Sequence, residues 1–179
     1  MSLKLFIQPG HDKDGRRDPG ACHPYRGTRE SDIADKVGQK LKEYLINAGI
    51  DVVGYLQDDD LYWVVETIDN SGCDAMISLH CNAFNGVANG VECCVYDLYG
   101  ESAKIAKYIQ KQLVDSLDLT DRGLKERPGL LVLNSTTCPS VLVEMAFIDN
   151  DHDEELLSNH SDEFAAAIAR GITDYIANM

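Results

Sequence analysis

Positive charge is scarce in this chain. Sixteen Lys and Arg stand against thirty Asp and Glu, a formal net charge of −14 over 179 residues. No basic patch is left to release counterions from phosphates, so nucleic acid is excluded as a partner. The same excess excludes simple electrostatic adhesion to anionic membranes. Membrane insertion is not expected either, because no apolar run approaches the roughly 20 residues of a span. No C-x-x-C pair occurs among Cys22, Cys73, Cys81, Cys93, Cys94 and Cys138. Their spacing therefore matches no structural zinc pattern, and all six read as free thiols. An H-E-x-x-H word, internal repeats, linkers and low-complexity tails are also missing. Met1-Ser2-Leu3 leads straight toward a strand without the pattern of a signal peptide, so the chain is expected to be cytoplasmic until released or exported by another route, unless a leader is missing.

What is present suits one core. With 44% hydrophobic residues, the expectation is a single domain over residues 1–179, acting as a monomer. Strand-like runs at Leu3–Gln8, Asp51–Leu56, Ala75–Leu79 and Val91–Leu98 alternate with segments of helical spacing. Two further strands are read at Leu130–Leu133 and around Glu144. The helices are expected from Thr28 to Gly49, from Asp60 to Ser71, from Gly100 to Leu117 and over Ser161–Ala177. Asp12–Gly27 reads as a long loop, Thr120–Pro128 as a polar loop, and the acidic run Asp149–Glu155 as a charged helix start. This alternation predicts an α/β fold with a twisted, mostly parallel sheet of about six strands and helices on both faces.

One carboxylate interrupts the apolar stretch Val141-Leu142-Val143-Glu144-Met145-Ala146-Phe147. Burying an ionised carboxylate costs several kcal/mol unless positive charge or donors surround it, so Glu144 needs partners. In open α/β sheets ligands gather at the carboxyl ends of the strands. His11 ends the first strand, His80 ends the third, and Glu30 opens the first long helix after the long loop. Two histidines and a carboxylate form a recurrent catalytic zinc set with one position left for water. Glu144 is then the residue to take and return that water's proton. Asn82 is a candidate substrate contact. His23 borders the expected site, while His152 and His160 are assigned no role. Arg122, Lys125 and Arg127 fall on the polar loop, where a guanidinium could meet substrate carboxylates.

The words Pro9-Gly10-His11, Asp18-Pro19-Gly20-Ala21, Glu30, Ser78-Leu79-His80-Cys81-Asn82-Ala83 and Leu142-Val143-Glu144-Met145-Ala146-Phe147-Ile148-Asp149-Asn150 occur in that order. Together they resemble the zinc-dependent N-acetylmuramoyl-L-alanine amidases of the bacterial cell wall (amidase_3 type), a group of autolysins, spore-lysis enzymes and phage endolysins. The resemblance covers nearly the whole chain. It implies a six-stranded twisted sheet, one zinc ion held by His11, Glu30 and His80, and Glu144 as catalytic glutamate. The implied substrate is peptidoglycan, cut at the amide joining N-acetylmuramic acid to L-alanine. Cys81 stands where alanine is usual. It neighbours His80 along a strand and should face the other side of the sheet. The alternatives are another zinc peptidase or deacylase on this scaffold, or an inactive peptidoglycan-binding module.

Overall fold

A computed structural model describes residues 3–179; Met1 and Ser2 lie outside the described residues. Among these residues the strands are β1 (Lys4–Pro9), β2 (Asp51–Tyr55), β3 (Ala75–Asn82), β4 (Val91–Val95), β5 (Asp121–Glu126) and β6 (Ser140–Phe147). The helices are α1 (Glu30–Asn47), α2 (Leu61–Ser71), α3 (Glu101–Leu117), α4 (Leu131–Asn134), α5 (Asp151–Asn159) and α6 (Ser161–Ala177). The strands form one sheet in the order β2-β1-β3-β6-β4-β5. β1, β2, β3 and β6 run parallel. β4 lies antiparallel to β6 and parallel to β5.

Side chains alternate across a strand, and the alternation sorts this sheet into two unlike faces. Leu5, Ile7, Ile77, Leu79, Val141, Val143 and Cys93 point into the larger core, with residues of α1, α3 and α6 packed over them. Ile33, Val37, Leu41 and Leu45 supply the buried stripe of α1, and Phe164, Ile168 and Ile172 that of α6. Phe6, Met76, Leu142 and Cys94 point the other way, into a smaller core closed by Val64 and Ile68 of α2 and Val132 and Leu133 of α4.

Two elements differ from the sequence expectation. Leu130–Leu133 is no strand: it enters the single helical turn α4. Four apolar residues are too few to separate strand from helix by periodicity, and the turn seals the small core. The sixth strand is β5 instead, in the segment read as a polar loop. Asp-Arg-Gly-Leu-Lys-Glu carries the charge that suits a sheet edge, where one row of backbone groups faces solvent. The acidic run does begin a helix, capped by the Asn150 side chain, which accepts from the His152 and Asp153 amides. Its carboxylates are more than a charged surface, however. Asp153 is buried and accepts from the amides of Gly90 and Phe147, at 2.8 and 2.9 Å. All six cysteines are free, and Cys81 lies in the larger core, away from His80.

Candidate metal centre

The smaller face does not stay apolar. Two residues beyond Phe6, Met76 and Leu142 along their strands come Gln8, Ser78 and Glu144, and two residues before Cys94 comes Glu92. His80 follows Ser78 by the same step. Register places His80 of β3 beside Glu144 of β6, and Glu144 beside Glu92 of β4. The pairing of β3 with β6 shifts between His80 and Asn82, an irregularity of the kind that re-aims side chains at functional sites.

His11 reaches the same place from the end of β1. Its φ of +69° is in the left-handed region, uncommon for a residue with a Cβ. The position is held firmly. The Gly10 amide donates to the Leu79 carbonyl at 2.9 Å, and buried Gln57 donates from Nε2 to the carbonyls of Gly10 and Ser31. Glu30 starts α1, where the helix dipole favours a carboxylate. The long loop delivers it through backbone bonds from Glu30 N to Ala21 O and from Ser31 N to Pro19 O, 2.9 and 3.0 Å.

Three ligand atoms converge. His11 Nε2 and His80 Nδ1 each lie 2.9 Å from Glu30 Oε1. One candidate ligand atom from each of these residues falls within 4.8 Å of the others, and among the described residues they make the one such group. The amide of Cys81 donates to Glu30 Oε1 at 2.9 Å and that of Ala21 to Oε2 at 2.8 Å. His11 Nδ1 donates to Asp18 Oδ2 at 2.8 Å, which turns Nε2 toward Glu30 and the cluster. The backbone leaves little slack around the rings. A Cβ on Gly10 would lie 2.2 Å from His80 Cε1, and one on Gly20, whose φ is +69°, 2.6 Å from both Glu30 Oε2 and His11 Cδ2.

The electrostatics favour a cation at this point. Burial works against a charged His11, but the hydrogen bonds and negative charge of Glu30 and Asp18 outweigh it and raise its pKa to about 9. Burial likewise opposes ionised Glu30, yet both imidazoles hold its pKa well below the usual carboxylate range. Nitrogen and carboxylate donors in this number are the zinc set of open catalytic sites. The residues fit that ion.

Glu144 is in the opposite condition. Burial, with Glu30 and Glu92 adding to it against the pull of His80, raises its pKa to about 7. Its Oε2 is buried and has no hydrogen-bond partner among the described residues. Glu92, itself buried, is anchored by Arg122 Nε at 2.8 Å and by Asn82 Nδ2 at 3.4 Å. The Arg122 guanidinium lies 4.7 Å from the Phe147 ring centroid. A cleft of about 180 Å³ opens on the cluster, with Gly10, His11, Asp18 and His80 on one side and Leu130 and Leu131 on another.

The remaining candidates fall elsewhere. Asn82 accepts from the Ala83 amide and holds Glu92. Arg127 is exposed, three residues before cleft-lining Leu130, and is not among the residues lining the cleft. His23 is neither at the cluster nor solvated: it is buried, accepts from the amides of Tyr25 and Arg26, and faces Asp151 at 3.3 Å. Arg26 and Thr28 bond Glu154 of α5, closing the long loop against the fold. Asp18, Gly10, Gly20 and Glu92 carry parts of this geometry that sequence reasoning left without a role. A carboxylate seven residues after a candidate ligand histidine was the available signal for Asp18.

Comparison with known proteins places the chain in a family. The pattern of the N-acetylmuramoyl-L-alanine amidase family (Amidase_3) matches residues 5–174. A germination-specific N-acetylmuramoyl-L-alanine amidase of Bacillus subtilis (strain 168) is 29% identical over an alignment covering 96% of this chain and 78% of that protein. An endolysin of Bacillus phage SPP1 is 31% identical, with 100% of this chain and 66% of the endolysin covered. The crystal structure of an N-acetylmuramoyl-L-alanine amidase from Clostridium difficile 630 superposes with a TM-score of 0.90 at 26% identity, covering 98% of this chain and 97% of that one. A family pattern running through both histidines, both glutamates and nearly every element of the sheet leaves one conclusion: the chain belongs to the N-acetylmuramoyl-L-alanine amidase family.

Proposed function

We propose that this chain cleaves peptidoglycan at the amide between N-acetylmuramic acid and L-alanine, with His11, Glu30 and His80 as ligands of one zinc ion and Glu144 as the proton carrier. The observation that supports this most is the convergence of the three ligand atoms beside a buried, unpartnered carboxylate oxygen. Bound zinc supplies Lewis acidity and makes water nucleophilic near neutral pH.

The protein's own groups do the rest. Asp18 fixes the His11 ring by holding Nδ1, so that Nε2 alone is offered to the cluster. Glu144 takes a proton from the attacking water and returns it to the leaving nitrogen of L-alanine. Burial raises its pKa to about 7 in the metal-free protein, so the group starts the transfer with a carboxylate basic enough to accept a proton and able to give it back. Glu92, fixed by Arg122 and Asn82, keeps a second negative charge beside Glu144 and helps hold that pKa up. Leu130 and Leu131 give the cleft part of its apolar lining. Asn82 serves the substrate through Glu92 in this reading, and Arg127 is left to a stem peptide that runs outward past α4. The place of action is the bacterial cell wall.

The test is digestion of purified peptidoglycan, with products identified by mass spectrometry and a chelator-treated control. Stem peptides beginning with L-alanine, beside peptide-free glycan without new reducing ends, are expected only from the metal-loaded protein. Fragments cut within the peptide, or a loss of acetyl groups alone, would replace the amidase reading with the peptidase or deacylase one.

A further inference from the structure

Among the six cysteines one pair stands apart. Cys73 Sγ and Cys138 Sγ lie 3.2 Å from each other, although 65 positions separate them in sequence. Cys73 follows Gly72, the left-handed residue that ends α2. Cys138 sits between α4 and β6, two residues before the Glu144 strand begins. Both are half-buried against the rim of the small core, so a small reagent has access that it lacks to buried Cys81, Cys93 and Cys94. Neighbouring bonds hold the two segments together independently of sulfur. The amide and hydroxyl of Thr137 both donate to Asp69 Oδ1 of α2, at 2.8 and 2.9 Å. The Ser71 hydroxyl accepts from the Cys73 amide at 3.2 Å.

We infer that Cys73 and Cys138 form a site for reversible disulfide formation, which fastens the end of α2 to the segment joining α4 to β6. A disulfide needs sulfurs about 2.0 Å apart, a closure of little more than 1 Å from the present contact. The contact also makes the two thiols unequal. It lowers the pKa of Cys73 to about 7 and raises that of Cys138. Cys73 is therefore the attacking thiolate near neutral pH.

With a small-molecule disulfide as oxidant, the Cys73 thiolate attacks one of its sulfurs. A mixed disulfide forms, and the first small thiolate departs. Cys138 then loses its proton and attacks the Cys73 sulfur, releasing the second small thiolate. Two protein thiols are oxidised to one disulfide, and one reagent disulfide is reduced to two thiols. The bond would form in an oxidising medium and stay open where thiols are kept reduced. The helices that lead into the two cysteine segments reach the cleft at their other ends, α2 through Leu61 and α4 through Leu131. The bond thus stiffens the thinner cover of the sheet without touching the metal cluster.

The experiment incubates the full chain with oxidised glutathione at pH 8, then alkylates remaining thiols in denaturant and maps the peptides. One peptide pair should be linked through Cys73 and Cys138, with Cys81, Cys93 and Cys94 still free and any lasting glutathione adduct confined to exposed Cys22. The melting temperature should rise by roughly 5–10 °C and return on reduction. Cys22→Ser should form the same link. Cys73→Ser and Cys138→Ser should each form no internal link, and the latter should accumulate one glutathione adduct at Cys73. Six thiols persisting in the parent, adducts at Cys73 or Cys138 that never close, or a link through any other cysteine would each overturn the assignment.

Discussion

The two faces of the sheet are built from the same strands and do opposite things. On the face under α1, α3 and α6, the inward residues of the four central strands β1, β3, β6 and β4, from Leu5 to Met145, are apolar and nearly or fully buried. On the face under α2 and α4 the apolar set stops at Phe6, Met76, Leu142 and Cys94, and the next step along each strand is polar. The first face stabilises the sheet well enough that the second can carry groups that destabilise it. Those include Glu144 with an unpartnered buried oxygen and His11 in a left-handed conformation. Strain and desolvation are thereby confined to one edge of the smaller face.

That division can be broken from either side. The largest effect should come from Glu144→Gln, which keeps shape and bound metal but removes the proton carrier. Turnover on peptidoglycan is expected to fall about 10³-fold, with zinc content by metal analysis unchanged. Next is Phe164→Ala on the opposite face. This ring is fully buried in α6, and its loss should cost about 4 kcal/mol of stability in urea denaturation while zinc affinity below the melting transition stays as it was.

A pH series on chelator-treated protein sharpens the contrast. Folding raises the Glu144 pKa from 4.5 to about 7, with burial the leading cause. Between those values the folded protein keeps a proton that the unfolded chain has released, so stability declines as pH rises through the window. The decline attributable to this group is about 3 kcal/mol, and Glu144→Gln should lack it. The smallest of these effects is expected from Gly10→Ala. Its Cβ would meet the His80 ring at 2.2 Å, so the ring must turn and zinc affinity should drop roughly 10- to 100-fold, with unfolding by urea little altered.

Much of this was legible in residues alone. The strand leading to His11, the strand carrying His80, which runs on to Asn82 rather than stopping there, the helix opening near Glu30 and the apolar run around Glu144 follow from periodicity, and the fold's geometry brings them together. Less local features were hidden. Asp-Arg-Gly-Leu-Lys-Glu becomes β5 only because β4 offers it an edge, and Leu130–Leu133 becomes a turn of helix only because a core needs closing beneath it. The roles of Gly10 and Gly20 depend on what a Cβ would strike, which no spacing reveals. Glu154 meets Arg26 and Thr28, and His23 faces Asp151, across more than 120 residues of chain. The meeting of Cys73 with Cys138 is a contact of the same long-range kind.

The claim at the centre is that the polar edge of the smaller face binds zinc through nitrogen and oxygen. Six free thiols offer the ion a competing chemistry, so the direct measurement is zinc K-edge X-ray absorption on the chain loaded with one equivalent. A shell of nitrogen and oxygen scatterers at about 2.0–2.1 Å, with the multiple scattering of two imidazoles, is the expected result. A sulfur shell near 2.3 Å, or a spectrum unchanged by replacing His80 with alanine, would contradict it.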